Sequence, residues 1–277
     1  MKNTSLILAG GGAKGAYQAE VASRIYENRN IDSVIGVSAG ALNGALISQG
    51  KTERIRNLWP KVRRSDVWES GIWQTFQLLL GNRKGFFDPS PLIGILNREF
   101  NPTDVEVPFL AGATSVKTGD FKSFKFSPNE KKQNGHKLVA ASSAVPALVE
   151  PVEAQGKLYA DGWIRNVAPI RTALEEGADE IIAVLNSRLG EAPSRPKNAL
   201  DMLTWAFESL MDEALRSDIG TARTINRFAK RAKELKQIEI SVASPSEDLG
   251  SPIDFSKKAQ KRRAEIGRKD AKKFLQA

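Results

Sequence analysis

Two short apolar runs near the start of the chain restrict the fold more than any other feature. Residues 5–9 run straight into Gly10-Gly11-Gly12. Beyond these glycines, residues 13–27 place Ala16, Ala19, Val21, Ala22 and Ile25 among charges at helical spacing. The second run, residues 31–37, ends in Gly36-Val37-Ser38-Ala39-Gly40 and leads into a second helical stretch, residues 39–48, rich in small side chains. The order is strand, glycine loop, helix, strand, tight turn, helix. Neighbouring strands joined through a helix must lie parallel, and a parallel sheet needs helices on both faces. The expectation is therefore an α/β protein, three layers of α/β/α around a mainly parallel central sheet.

The rest of the chain fits that plan. Residues 51–82 read as mostly helical with several tryptophans, 84–91 as a turn and 91–100 as a helix. Strands over 107–114 and 121–126, joined by Lys117-Thr118-Gly119-Asp120, read as a hairpin. Residues 128–136 are polar and predict an exposed loop, and 138–143 a small-residue helix stopped by Pro146. A strand over 158–160 enters Asp161-Gly162, followed by a helix over 170–176 and a strand over 180–185. Residues 191–197 read as a linker, 199–236 as one or two helices, 238–242 as a late strand, and the last helix as capped by Ser256. The late strand needs a sheet to join. Residues 1–277 are accordingly expected to form a single domain, with a core of about 5–185 and a helix-and-strand extension of about 199–277.

Composition removes several chemistries. The 277 residues include no cysteine, which excludes disulfides, thiolate zinc sites and cysteine nucleophiles. One histidine, His136, leaves no His-rich metal site, and neither a metal nor a cofactor is expected. The formal net charge is +9, with basic blocks at 61–64, 227–236 and 257–273. These blocks read either as solvated helix faces or as attraction to a polyanion. No helix-turn-helix, RNP or zinc-finger pattern accompanies them, so no nucleic acid is expected. The apolar run at residues 6–9 is too short for a signal-peptide core, and no stretch approaches the roughly 20 apolar residues that span a bilayer. This predicts a cytoplasmic protein.

Gly36 to Gly40 is the single G-x-S-x-G in the chain. An apolar strand enters it and a small-residue helix leaves, the setting of a nucleophile elbow, in which the serine is held in a strained turn at a helix N-terminus. Ser38 also fits a plain helix cap. Gly10-Gly11-Gly12-Ala13-Lys14-Gly15 admits three readings. Gly10, Gly12 and Gly15 match G-x-G-x-x-G, but no acidic residue ends the second strand as a dinucleotide site requires. The loop also serves as a tight turn without a ligand, or as an oxyanion hole whose bare backbone N–H groups converge on developing charge, with Lys14 nearby. Asp161 before Gly162 is by itself an ordinary turn aspartate.

Together these segments resemble the patatin-like phospholipases, serine acyl hydrolases of lipids. That family joins a Gly-Gly-Gly-x-Lys/Arg-Gly loop to a later G-x-S-x-G, then a small-residue segment ending in proline, then an Asp-Gly motif. Here these are Gly10 to Gly15, Gly36 to Gly40, Ala141-Ser142-Ser143-Ala144-Val145-Pro146 and Asp161-Gly162, and the resemblance covers roughly residues 5–185. It implies a Ser-Asp dyad in which Ser38 attacks the ester, Asp161 serves as base, and the N–H groups of Gly11 and Gly12 hold the oxyanion. The implied substrate is a phospholipid, lysophospholipid or other acyl ester. A non-catalytic lipid- or protein-binding relative and a nucleotide-binding α/β domain remain the rival readings. His136, in a polar run, reads as an exposed loop residue outside the dyad; the lesser alternative is a triad through His136 with an acid such as Asp88 or Asp120. Trp163, where the family usually has a small residue, puts substrate range in question. Trp59, Trp68 and Trp73, interleaved with Ile72, Phe76 and Leu78 to Leu80, fit either a packed helix or an interfacial patch. The basic last helix, with its thin apolar face of Phe255, Ala259, Ile266 and Phe274, offers peripheral contact with an anionic membrane.

Overall fold

The two opening apolar runs lie side by side as β1 (Thr4–Leu8) and β2 (Ser33–Val37), every residue buried. They are parallel, with Ser5 opposite Ser33 and Leu8 opposite Gly36. The computed structural model describes residues 2–67, 84–188 and 237–276, together with 190, 196 and a discontinuous set between 202 and 226.

Strands β3 (Gly85–Phe87), β4 (Phe109–Ser115), β5 (Phe121–Phe126), β6 (Ala147–Val149), β7 (Val152–Ala154), β8 (Lys157–Asp161), β9 (Glu180–Val184) and β10 (Glu239–Ala243) follow in chain order. The central sheet runs β10-β9-β1-β2-β4-β8-β7, with β5 also on β4. Pairing from β10 through β4 is parallel, while β5, β8 and β7 are antiparallel. The late strand does find a sheet, at its β10 edge.

Side chains alternate along each strand. Leu6, Leu8 and Val34 face a core shared with α1 (Gly15–Asn28) and α2 (Ala39–Ile47). Ile7, Ile35 and Ile181 face the opposite core, covered by α7 (Ile170–Glu175) and Ile219. The architecture is thus the α/β/α sandwich that the alternating pattern predicts. Further helices among the described residues are α3 (Thr52–Leu58), α4 (Arg64–Val67), α5 (Ser90–Glu99), α6 (Gly135–Ala141) and α8 (Lys257–Gln276).

Several local readings change. Residues 84–91 are more than a turn: Gly85–Phe87 pairs in parallel with β6 in a separate two-stranded sheet. The strands β6 and β7 are too short to show period-2 alternation in sequence. The polar loop ends early, because α6 begins at Gly135 and takes in His136, which is half-buried. Burial and the neighbouring Lys137 hold the imidazole pKa below its ordinary value. Trp59 is buried, with its indole Nε1 donating to Asn43 Oδ1 at 2.6 Å. It packs core rather than presenting a surface. Trp68, Trp73, Ile72, Phe76 and Leu78 to Leu80 lie outside the described residues.

The last helix is capped as expected, Ala259 N donating to Ser256 Oγ at 3.3 Å. Its apolar face is spent on the protein: Ile266, Gly267 and Ala271 are buried against α1. Lys257, Lys258, Lys261, Lys269, Lys272 and Lys273 stay exposed. At the crossing, a Cβ on Gly267 would sit 2.5 Å from the Tyr17 carbonyl oxygen. Backbone cannot yield there, so Gly267→Ala should force the helices apart and destabilise the fold by about 1–3 kcal/mol. Urea unfolding at constant m-value measures the loss.

Candidate active site

The arrangement of strands around β4 decides what meets in the site. β2 pairs along one edge of β4 as far as Val37 opposite Gly112. β5 occupies the other edge from Phe109 to Thr114. β8, which pairs Asp161 with Ala113 and Ala160 with Thr114, must therefore take the edge that β2 vacates. The end of β2, leading into Ser38, and the end of β8, carrying Asp161, thus fall against adjacent residues of one strand.

The gap where β2 leaves is filled by Ser142. Its hydroxyl donates to the freed Gly112 carbonyl at 2.5 Å and accepts from Ser38 N at 2.9 Å. Two residues on, the Ala144 carbonyl accepts from Asp161 N at 2.8 Å. The small-residue segment 141–146 therefore holds the backbone of both Ser38 and Asp161.

Ser38 has φ 57° and ψ −127°, a conformation costly for a residue with a side chain, and it makes no side-chain cap to α2. The plain cap reading is thereby set aside. The turn closes so tightly that a Cβ on Gly36 would lie 2.3 Å from the Gly40 oxygen, and one on Gly40 would lie 2.0 Å from the Leu8 oxygen.

Asp161 is fully buried. Its Oδ1 accepts from Trp163 N at 3.0 Å, which is the ordinary work of an aspartate at a turn. Oδ2 has no partner in hydrogen-bond geometry among the described residues. Burial pushes the carboxyl pKa up to about 8, opposed by the Trp163 N–H and by the Ser38 hydroxyl. The hydroxyl is thus near enough to favour the carboxylate without reaching good geometry, as is common in sites without substrate.

The glycine loop forms the facing wall. Gly12 (φ 54°) starts a 3-10 turn, Gly12–Lys14, ahead of α1. Gly10 N donates to Val167 O and Ala13 N to Pro252 O, whereas the N–H groups of Gly11 and Gly12 donate to no acceptor among the described residues. The Lys14 ammonium is buried in an ion pair with Glu208. Gly15 lies away from the cavity and makes room for the Trp59 ring, which a Cβ there would overlap at 2.3 Å. Gly10, Gly11, Gly12, Lys14 and Ser38 line one cavity of about 740 Å³, open to solvent. Val145, Leu148, Trp163 and Ile253 make its wall largely apolar. Among the described residues, no three acidic or imidazole side chains converge in a way that would hold a metal.

Three residues on this wall escape a reading of the sequence. Asn186 donates to the carbonyls of Ala9 and Gly10, Glu208 pairs Lys14, and Pro252 receives Ala13 N. Asn186 carries one legible signal, its place just past the carboxyl end of a parallel strand, where α/β sheets bind ligands. Behind Pro252 stands Arg263, almost fully buried, whose guanidinium donates to the carbonyls of Leu249, Ser251, Asp254 and Ala13 at 2.6–3.2 Å.

Residues 6–174 match the patatin-like phospholipase family. The chain belongs to that family. Uncharacterized NTE family proteins of Mycobacterium bovis and Mycobacterium tuberculosis are 25% identical to it over 235 residues, covering 80% of this chain and 59% of theirs. The chain thus spans less than two thirds of the length of these relatives. VipD from Legionella pneumophila has the same fold, with a TM-score of 0.52, 14% identity, and coverage of 99% of this chain and 67% of VipD. No described helix of this patatin-like chain is long and apolar enough to cross a membrane.

The raised pKa of Asp161 has a consequence for stability. Between the unfolded value near 4 and the folded value of about 8, the folded state binds the extra proton. Stability attributable to this group is therefore full at low pH and drains away as pH rises through about 8. Asp161→Asn should melt above the wild type, by a margin that is small at pH 4 and grows to pH 9. Parallel melting scans across that range check it.

Proposed function

We propose that the chain is a serine lipid acyl hydrolase that works through Ser38 and Asp161 without imidazole. One observation carries the reading: the strained, uncapped Ser38 opens onto the same apolar cavity as Gly11 and Gly12, whose N–H groups have no acceptor among the described residues, and it stands beside the buried Asp161.

In this reading ionised Asp161 accepts the Ser38 proton as Oγ bonds to the ester carbonyl carbon. The carbonyl oxygen becomes an oxyanion facing the Gly11 and Gly12 N–H groups, while the Lys14 ammonium stays paired with Glu208. Collapse expels the alcohol, which takes the proton from Asp161 and leaves an acyl-serine. Water then attacks that ester and gives a proton to Asp161; the Oγ–acyl bond breaks, the fatty acid leaves, and Ser38 Oγ takes the proton back from Asp161. Val145, Leu148, Trp163 and Ile253 would bury the acyl chain, with the Trp163 indole limiting its course. The substrate class is a phospholipid, lysophospholipid or simpler acyl ester. Residues 1–277 act as one domain in this scheme, because the extension supplies β10 and the loop at Pro252.

A fluorophosphonate probe should label the wild type and leave Ser38→Ala unlabelled. Asp161→Asn should lower ester turnover by about 10²–10⁴-fold, and His136→Ala should not change it. Because the base must be ionised, wild-type turnover should climb with pH and level off above about 8. A folded wild type that takes no label rejects the reading.

The exposed lysines of α8 give the protein a surface for anionic lipid, each adding about 1 kcal/mol near such a membrane. Co-sedimentation with vesicles should rise with anionic lipid content and fall with salt. Binding indifferent to both removes the electrostatic part of the proposal.

A further inference from the structure

The oxyanion hole proposed above needs two N–H groups pointed at one place, and the two are held by different means. A trans peptide is planar, so a residue's carbonyl and the next residue's N–H point in opposite directions as one rigid unit. None of the peptide bonds among the described residues is cis. The Gly11 carbonyl accepts from Lys14 N at 3.1 Å, so the 3-10 turn itself sets the direction of the Gly12 N–H. No such local bond holds the Gly10 carbonyl, which orients the Gly11 N–H. Its partner is Asn186 Nδ2, at 3.2 Å, from a residue 176 positions away.

We propose that Asn186 is the positioning residue that aims the Gly11 N–H into the cavity. Asn186 stands just past β9, 4% exposed, and lines the same cavity as Ser38. Its Nδ2 faces two carbonyl oxygens, Ala9 at 3.0 Å and Gly10 at 3.2 Å. Carbonyls only accept, so the side-chain amide can be oriented in one way. The side chain lies flush against the peptide it holds: a Cβ on Gly11 would come within 2.4 Å of Asn186 Cβ. With Gly10 O pinned on the Asn186 side, the Gly11 N–H must point away from it.

The arrangement separates this role from plain packing. Ala9 O has a second donor in Gln18 Nε2 at 2.9 Å, and Ala9 N bonds to Val184 O at 3.1 Å, so the tie between β1 and β9 survives without Asn186. Gln18 is fixed in turn, its Oε1 accepting from Asn43 Nδ2 at 3.0 Å. Among the described residues Gly10 O has no other donor. Asn186 Oδ1 has no partner among the described residues either, so the contribution of the side chain there is the grip of Nδ2 on this loop. Loss of that grip leaves the Gly10–Gly11 peptide free to rotate and carries one oxyanion donor off target.

The catalytic part of this inference rests on the hydrolase reading, and the structural part does not. The test compares wild type with Asn186→Ala and Asn186→Asp. The aspartate keeps the shape but turns an acceptor towards two carbonyls, and it replaces the alanine variant if that one fails to fold. The NMR order parameter of the Gly11 N–H should fall in either variant, while those of the Gly12 N–H and of α1 stay as in the wild type. With a p-nitrophenyl ester, kcat should fall by about ten- to a hundred-fold at unchanged KM, less than the 10²–10³-fold typical when an oxyanion donor is removed outright. Affinity for a trifluoromethyl ketone, which forms the tetrahedral oxyanion, should fall by the same factor, and affinity for an unreactive ether analogue should hold. An unchanged order parameter at the Gly11 N–H overturns the proposal, as does wild-type kcat in a folded variant. If the wild type takes no fluorophosphonate label, the hydrolase reading fails, and the Gly11 order parameter alone decides the role of Asn186.

Discussion

Everything around Ser38 depends on one close approach of backbone to backbone. The turn from β2 into α2 folds so tightly on itself at Gly36, and passes so near the end of β1 at Gly40, that only hydrogen fits at either. That squeeze puts Ser38 at φ 57°, a strain of roughly 1–3 kcal/mol that a turn keeps only when its surroundings over-determine it. They do so here: Ser142 holds the Ser38 N–H, and α2 continues at once into the core beside Val34 and Phe109. Side-chain-free backbone is also what the glycine loop contributes opposite, where the Pro252 oxygen would meet a Cβ on Gly12 at 2.5 Å.

The same economy explains how a serine and an aspartate 123 positions apart in sequence (38 to 161) come together without any direct pairing of their strands. β2 and β8 do not pair; they use successive stretches of one edge of β4. A strand parallel to β4 ends and an antiparallel one begins, and the junction leaves room for one small hydroxyl side chain. Ser142 fits, and Thr114 Oγ1 completes the frame by donating to the Asp161 carbonyl at 3.0 Å.

Features fixed by neighbours in sequence were legible in the sequence, and features fixed by distant partners were not. The alternating strands and helices and the elbow are local, since Gly36 and Gly40 are demanded by chain within a few residues or by the adjacent strand. The glycine loop shows in the sequence as a motif, although Gly11, Gly12 and Gly15 make room for the distant Asn186, Pro252 and Trp59. Asp161 could be placed only by resemblance, because its distinguishing property is the burial that raises its pKa. Asn186, Pro252 and Arg263 have ordinary residue types, and their partners near Ala9 and Ala13 are 177 to 250 positions away. The basic last helix was read for its charge, but its packing turns on Gly267 and on Arg263, which faces inwards. Burial pulls the Arg263 pKa down, yet a guanidinium keeps its proton, so four carbonyls must do what a carboxylate usually does.

The clamp at Arg263 also sets an order in time. Ribosomes deliver the chain from its N-terminus, so the glycine loop and Ser38 emerge long before residue 263 exists. At about 5–20 residues per second the interval is on the order of tens of seconds. Throughout it the loop has no Arg263 on Ala13 O, no Pro252 on Ala13 N and, for most of it, no Asn186 on Gly10 O. A nascent chain therefore carries its serine through translation with the opposite wall unassembled, and the cavity closes only as synthesis passes the last helix.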